Sequence, residues 1–250
     1  MNQKKLLNKS IKEVEDLLIV AYKNAYKDLY NMLIDTYMDI LGDGDVPLNS
    51  HLYSFGRYYT LMNKLKDRLN ELGQYEENIL SDKLVELYKN NEQLMSSQFP
   101  KATYIDEAKI RQLLTEDWVG DGKVLSDRIW NDKTATLNKL KSQLVNSVIT
   151  GKPISSYAKE LSDRFKDVQY WQAKRLVRTE MNHMLLQSTI DKYKQAGFTK
   201  YKILTVDSAC EHCKQLKDQV FDIDNLVWGA NIPPLHPNCR CTIQAIQGGN

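Results

Sequence analysis

For its first 209 residues the chain has no cysteine; all four, Cys210, Cys213, Cys239 and Cys241, fall in the closing stretch. A disulfide framework spread over the fold is therefore excluded, and the thiols mark one local site. No apolar run approaches the ~20 residues that a membrane-spanning helix needs. The opening MNQKKLLNKS is basic but is not followed by an apolar segment, so a secretory leader is not expected. The expected setting is the cytoplasm, where thiols stay reduced. Charge of one sign is not in excess either: 34 Lys+Arg against 32 Asp+Glu leave a formal net charge of +2. Coating nucleic acid needs a basic surplus, so that is not expected as the main task, although a local basic face remains open. GxSxG, HExxH, P-loop and GxGxxG signatures are all absent. A zinc nucleobase deaminase would need a His/Cys-x-Glu pair ahead of PCxxC, and this spacing does not provide it.

What is present is helical. Of 250 residues, 42% are hydrophobic and 26% charged, enough for a packed core and too apolar for disorder. Ile11, Val14, Leu18, Ala21, Ala25, Leu29, Leu33, Tyr37 and Ile40 recur at three- and four-residue steps and predict one long amphipathic helix over 10–41. Gly42 stops it and GDGDVPLN reads as a loop. Asp43-Gly44-Asp45 has the start of a calcium loop, but an EF-hand needs further ligands and a closing Glu, and Ser occupies position 54; a turn is preferred. A second helical pattern covers 51–72, with Gly73 placed as its C-terminal stop. A third, more polar, covers 76–97 and breaks at Phe99-Pro100. Helices at 104–117 and 124–149 follow, separated by the turn VGDGK. After the break TGKP come a short helix at 155–165 and a long one from about Val168 to Ala196, ended by Gly197.

Beyond Gly197 the pattern changes to strands: 201–206, 219–221 and 241–246, the last alternating clearly. The expected fold is mainly α: an elongated helical N-terminal region, residues 1–103, then an α+β domain, residues 104–250. That domain ends in a small antiparallel β unit, 201–246, stapled by a Cys/His cluster. No solenoid repeat or low-complexity tract is present.

The cluster reads Cys210-Glu-His-Cys213, 22 residues, then His236-Pro-Asn-Cys239-Arg-Cys241. Two ligands separated by two residues can chelate one ion from a tight turn, and zinc takes four N/S ligands in a tetrahedron. Pro237 favours the second turn. The preferred set is Cys210, Cys213, His236 and Cys239, with Cys241 as the substitute for His236; four of these five would hold the ion. Cys239 and Cys241, two apart on a strand, share a face and could also bind together. His212 points elsewhere if its neighbours close the first turn. The competing readings are a reduced, metal-free cluster in which Cys packs as a small hydrophobe, and disulfides with three possible pairings. A four-ligand zinc leaves no open position, so the metal would be structural, stapling a β unit with too little core of its own.

Three stretches, Arg175–His183 (RLVRTEMNH), Val206–Phe221 (VDSACEHCKQLKDQVF) and Pro233–Cys241 (PPLHPNCRC), resemble the head-morphogenesis domain of the phage Mu F-like minor head proteins. The order of elements fits over about residues 104–250, whereas the first hundred residues match only in being helical. The resemblance implies a minor structural protein of a tailed-phage head. It would act at the portal vertex in capsid assembly or DNA delivery, with portal, capsid and scaffold proteins as partners. It would reside in the virion head, after assembly in the host cytoplasm, with no small-molecule substrate and no membrane.

The residues admit two other readings. Arg178, Thr179, Glu180, Asn182 and His183 share the long helix; Glu180 and His183 are i,i+3 neighbours, and Arg178 and Asn182 i,i+4 neighbours. Glu180 as a general base held by Arg178 would be catalytic; a buried or interfacial polar network is preferred. Arg-Thr-Glu loosely matches an ADP-ribosyltransferase signature, but the Glu-x-Glu of that class occurs here only as Glu13-Val14-Glu15, inside the first helix. A nucleic-acid-binding zinc module, with packaged DNA as the partner, would use Lys192, Lys194, Lys200, Lys202, Lys214 and Lys217; a solvated lysine face is preferred.

Overall fold

The computed structural model describes residues 2–41, 56–150 and 154–246, with the backbone path alone for 37, 40, 41, 146–150 and 154–168. The expected loop after Leu41, the Asp43–Asp45 turn, the start of the second helix at 51–55 and most of the TGKP break lie outside the described residues. Among the described residues the elements are α1 (Gln3–Leu41), α2 (Arg57–Ser96), α3 (Glu107–Leu113), α4 (Leu125–Thr150), α5 (Ile154–Gln195), β1 (Lys200–Leu204), α6 (Glu211–Gln215), β2 (Val220–Asp222), a 3-10 turn (Ile223–Asn225) and β3 (Thr242–Ile246). The protein is mostly helical, with a small three-stranded antiparallel sheet near its C-terminal end and a Cys/His cluster beside that sheet.

Two expected helix boundaries are not there. Gly73 does not end a helix, because α2 runs through it without interruption. A Cβ on Gly73 would meet Cζ3 of Trp130 at 2.9 Å and Cγ of Lys133 at 3.2 Å, so the glycine is there for close approach of the α4 side chains. Likewise the helices expected at 155–165 and from Val168 are one, α5. Nothing between Ile154 and Ala196 is a Gly or Pro, so no residue removes a backbone donor or favours leaving the helix. The helix expected at 104–117 is shorter: Asp106 caps it, its side chain accepting from the Ala108 N–H at 2.8 Å. Residues beyond Leu114 turn away, because the Asp117 carboxylate instead accepts from the N–H groups of Gly120, Asp121 and Gly122 at 2.7–3.1 Å.

Two compact units are formed. One comprises Met1–Glu15, Asn78–Ser126 and Lys174–Asn250, the other Asp16–Glu77 and Asp127–Ala173. The second unit is a helical core built from Leu18, Tyr22, Leu29, Leu33, Leu65, Leu69, Ile129 and Leu140, all nearly inaccessible. Inside it Lys133 Nζ lies 2.5 Å from Glu76, and Tyr22 donates to the same carboxylate at 2.6 Å. Burial, then the neighbouring Glu76 charge, pushes the Tyr22 phenol well above its usual range.

The first unit carries the sheet, in the order β2-β1-β3 with both pairings antiparallel. Tyr201 and Ile203 of β1 point inward with Ile243 of β3, against Leu186, Ile190 and Tyr193 of α5 and Met95 of α2. Gly197 ends α5 as the sequence predicts: at φ 82°, its N–H donates to the Lys194 carbonyl and the N–H of Phe198 to Tyr193. The Tyr193 and Phe198 rings close this cap at 5.7 Å between centroids. Buried polar groups tie α2 to α5. Asn91 donates to Ser188 and Thr189, Gln3 donates to Asn91 and Thr189, and Lys192 pairs with Glu92 at 3.0 Å.

Candidate metal centre

Cys210 caps the N-terminus of α6, and the first turn of that short helix puts Cys213 one turn on, on its inner side. The second segment approaches through a cis Pro233-Pro234 bond and a tight turn in which the Cys239 N–H donates to the His236 carbonyl at 3.1 Å. Asn238 adopts φ 66° in this turn, a left-handed conformation that asparagine tolerates better than most residues. Cys241 follows immediately before β3.

All five sequence-predicted donors converge. Cys210 Sγ and Cys213 Sγ stand 3.4 and 3.3 Å from His236 Nε2, and Cys213 Sγ stands 3.9 Å from Cys239 Sγ. The donor atoms fall into two triangles that share Cys213: Cys210, Cys213 and His236, and Cys213, Cys239 and Cys241. Within each, every pair lies within 4.8 Å. Cys213, Cys239 and Cys241 are buried, His236 is half-buried, and Cys210 is exposed. His212 is exposed and outside both triangles. All four cysteines are free thiols here.

The five donors shift one another's titration in opposite directions. The Cys241 thiol hydrogen-bonds to Cys239 and, against its burial, holds Cys239 down at about 5. The same contact, added to by burial, pushes Cys241 far up. Burial takes Cys213 to about 12. Cys210 is lowered, first by the backbone amide of Cys213. Burial works against protonation of His236, but the Pro237 carbonyl and the nearby Cys239 and Cys210 sulfurs outweigh it and raise the ring.

The donor set fits zinc. It offers soft thiolates and an imidazole, and His236 Nδ1 lies 2.9 Å from the Pro237 carbonyl. An Nδ1–H donated there leaves Nε2 bare and aimed at the sulfurs, the arrangement metal-bound histidines commonly show.

Helix α5 holds the second turn in place. Asn182 Nδ2 donates to the carbonyls of both Cys239 and Cys241 at 3.2 Å. Thr179 Oγ1 accepts the Asn238 N–H at 2.8 Å while donating to the Arg175 carbonyl. Glu180 accepts from Trp118 Nε1 at 3.0 Å. His183 is buried, stacked on Trp118 (centroids 4.2 Å, planes 8° apart) and edge-on to Trp228 at 4.3 Å. The Arg-Thr-Glu-Met-Asn-His stretch is thus a polar and aromatic seam between α5 and the loops around it. Trp118 and Trp228 were not singled out from sequence, because isolated tryptophans far apart in the chain carry no spacing signal.

Two further expectations meet the structure here. Lys192 does not belong to a basic face: it is 1% exposed and paired with Glu92. Lys202 and Lys214 lie against Asp218 and Glu211, whereas Lys194, Lys200 and Lys217 are exposed. Glu13 and Glu15 flank the buried Val14 in α1; Glu13 pairs with Lys83, and Glu15 with Lys174 and Arg178.

The class defined by this architecture is a helical protein whose final β unit is gathered around a Cys/His cluster and pinned to a long helix by an Asn and a Thr. Residues 138–244 match the family described as phage Mu protein F like protein, the family that the motifs of the sequence resemble. The matched stretch contains α5, β1, β2, the first three residues of β3 and all five donors. No curated protein and no solved structure matches the chain. No described helix is long and apolar enough to cross a membrane.

Proposed function

We propose that the protein is a minor structural component of a tailed-phage head that works at the portal vertex, aiding capsid assembly or DNA packaging and delivery. The observation that carries this reading is the family match over 138–244, which takes in the whole Cys/His cluster and the helix that supports it. In this reading residues 104–250 are the morphogenesis segment and residues 1–103 a helical arm, and the role is binding rather than catalysis. The seam formed by Glu180, Asn182 and His183 supports that, since all three are buried and engaged in packing. Portal, capsid and scaffold proteins are the proposed partners, and the virion head the proposed location.

Within this role the cluster holds one structural zinc. Four protein donors would leave the ion no free position for a substrate. Elemental analysis of reduced protein should give close to one zinc per chain. Near-zero metal, with melting unchanged in chelator, would reject the clamp. The assembly role is tested by co-expression with the portal protein of the same genome followed by co-purification. A stable complex supports it; no complex with either portal or capsid protein speaks against it.

A further inference from the structure

The five donors lie in two triangles that share Cys213, whereas a zinc ion takes four. The sulfur–sulfur edge of a tetrahedral zinc site is ~3.8 Å and its sulfur–nitrogen edge ~3.5 Å, from bond lengths of about 2.3 and 2.0–2.1 Å. Cys213–Cys239 at 3.9 Å, Cys213–His236 at 3.3 Å and Cys210–His236 at 3.4 Å already have those lengths. Cys241 stands within 4.8 Å of Cys213 and Cys239, and Cys210 within 4.8 Å of Cys213 and His236. Each triangle is one face of a tetrahedron, and the shared corner is Cys213.

The two outer sulfurs differ in how they are held. Cys210 is exposed and caps a helix of only five residues. Cys241 is 2% exposed, directly precedes β3, and has its carbonyl bonded by Asn182. We propose that Cys213, His236 and Cys239 are the constant ligands of the metal, and that Cys210 and Cys241 are interchangeable fourth ligands. The exposed thiol can then be lost without loss of the ion. This rests on the zinc reading given above. The plain alternative is that Cys241 only fills core space, in which case losing Cys210 must release the metal.

The test uses the full-length, zinc-loaded protein. Iodoacetamide is added, the alkylated cysteine is located by peptide mass spectrometry, and released zinc is followed with a chromophoric chelator. Alkylation at Cys210 with zinc retained supports the exchange; zinc released one-for-one with that alkylation overturns it. C210S and C241S, loaded with cobalt, decide the same point without alkylation through the intensity of the thiolate-to-metal band. Each single variant should keep a three-sulfur site and bind zinc within about tenfold of the native chain, ~1.4 kcal/mol. C210S/C241S should fall to two sulfurs. A two-sulfur C210S, or a C241S that loses the metal, overturns the proposal while leaving the zinc reading intact. A native chain that takes up no zinc removes both, and is recognised before any variant is made.

Discussion

The side-chain amide of Asn182 lies 3.2 Å from the carbonyl oxygen of Cys239, and it reaches the carbonyl of Cys241 at the same distance. One residue of a long helix thus satisfies two buried acceptors of the loop that carries three of the five donors. Asn182→Ala would leave both carbonyls without this donor. The expected loss is about 1–3 kcal/mol, a typical cost of an unsatisfied buried polar group. Urea unfolding should show a lower midpoint with an unchanged slope. Asn182→Asp should be worse still, because it puts a carboxylate against two carbonyl oxygens.

Gly73 inverts the usual helix rule. In an exposed helix interior, Gly→Ala gains about 1 kcal/mol. Here the new methyl would sit 2.9 Å from the Trp130 ring, which is held by a hydrogen bond from its Nε1 to Glu77 at 2.9 Å. Gly73→Ala should therefore destabilise the chain. In the Trp130→Phe background, where the offending ring atoms are gone, the same change should be neutral or stabilising. A double-mutant cycle measures the coupling, and additivity would refute the close-approach account.

The buried Lys133–Glu76 pair should respond asymmetrically to substitution. Lys133→Met leaves Glu76, only 1% exposed, without its cation and should cost about 3–5 kcal/mol. Lys133→Met combined with Glu76→Leu should recover much of that loss. Thermal and urea unfolding of the two variants settle the order.

His183 should make stability fall in mild acid. Burial holds its folded-state pKa down at about 3 against 6.5 for the free side chain. The unfolded chain therefore takes up a proton below pH 6.5 that the folded chain refuses until about 3. The stability contributed by the neutral ring is complete above pH 6.5 and is lost as pH falls toward 3, at up to about 1.4 kcal/mol per pH unit. The groups facing the ring are Trp118 and Trp228, with Glu180 bonded to the former. His183→Phe keeps an aromatic in the stack and should flatten the profile between pH 6.5 and 3; an unchanged slope would count against this residue as the source.

Much of this was legible from residue order. The stripe from Ile11 to Leu33, Gly197 as a helix stop, the three strands and the convergence of Cys210, Cys213, His236, Cys239 and Cys241 all follow from local periodicity or spacing, and all are present. Gly73 misled because a glycine that ends a helix and one that admits a neighbouring ring are the same letter. The difference is Trp130, 57 positions away. The function of Asn182 was equally hidden: spacing on its own helix offered Arg178, whereas its bonds run to backbone carbonyls whose positions depend on the folded loop. Lys192 counted as a surface charge from composition, and only the placement of Glu92 shows why it can be buried.

The unit that carries the Cys/His cluster is assembled from three separated stretches of chain, Met1–Glu15, Asn78–Ser126 and Lys174–Asn250. Gln3 donates to Thr189, 186 positions further along the chain. Contacts of such sequence separation close long loops before they are repaid, so this unit should form more slowly than a helical hairpin of the same size.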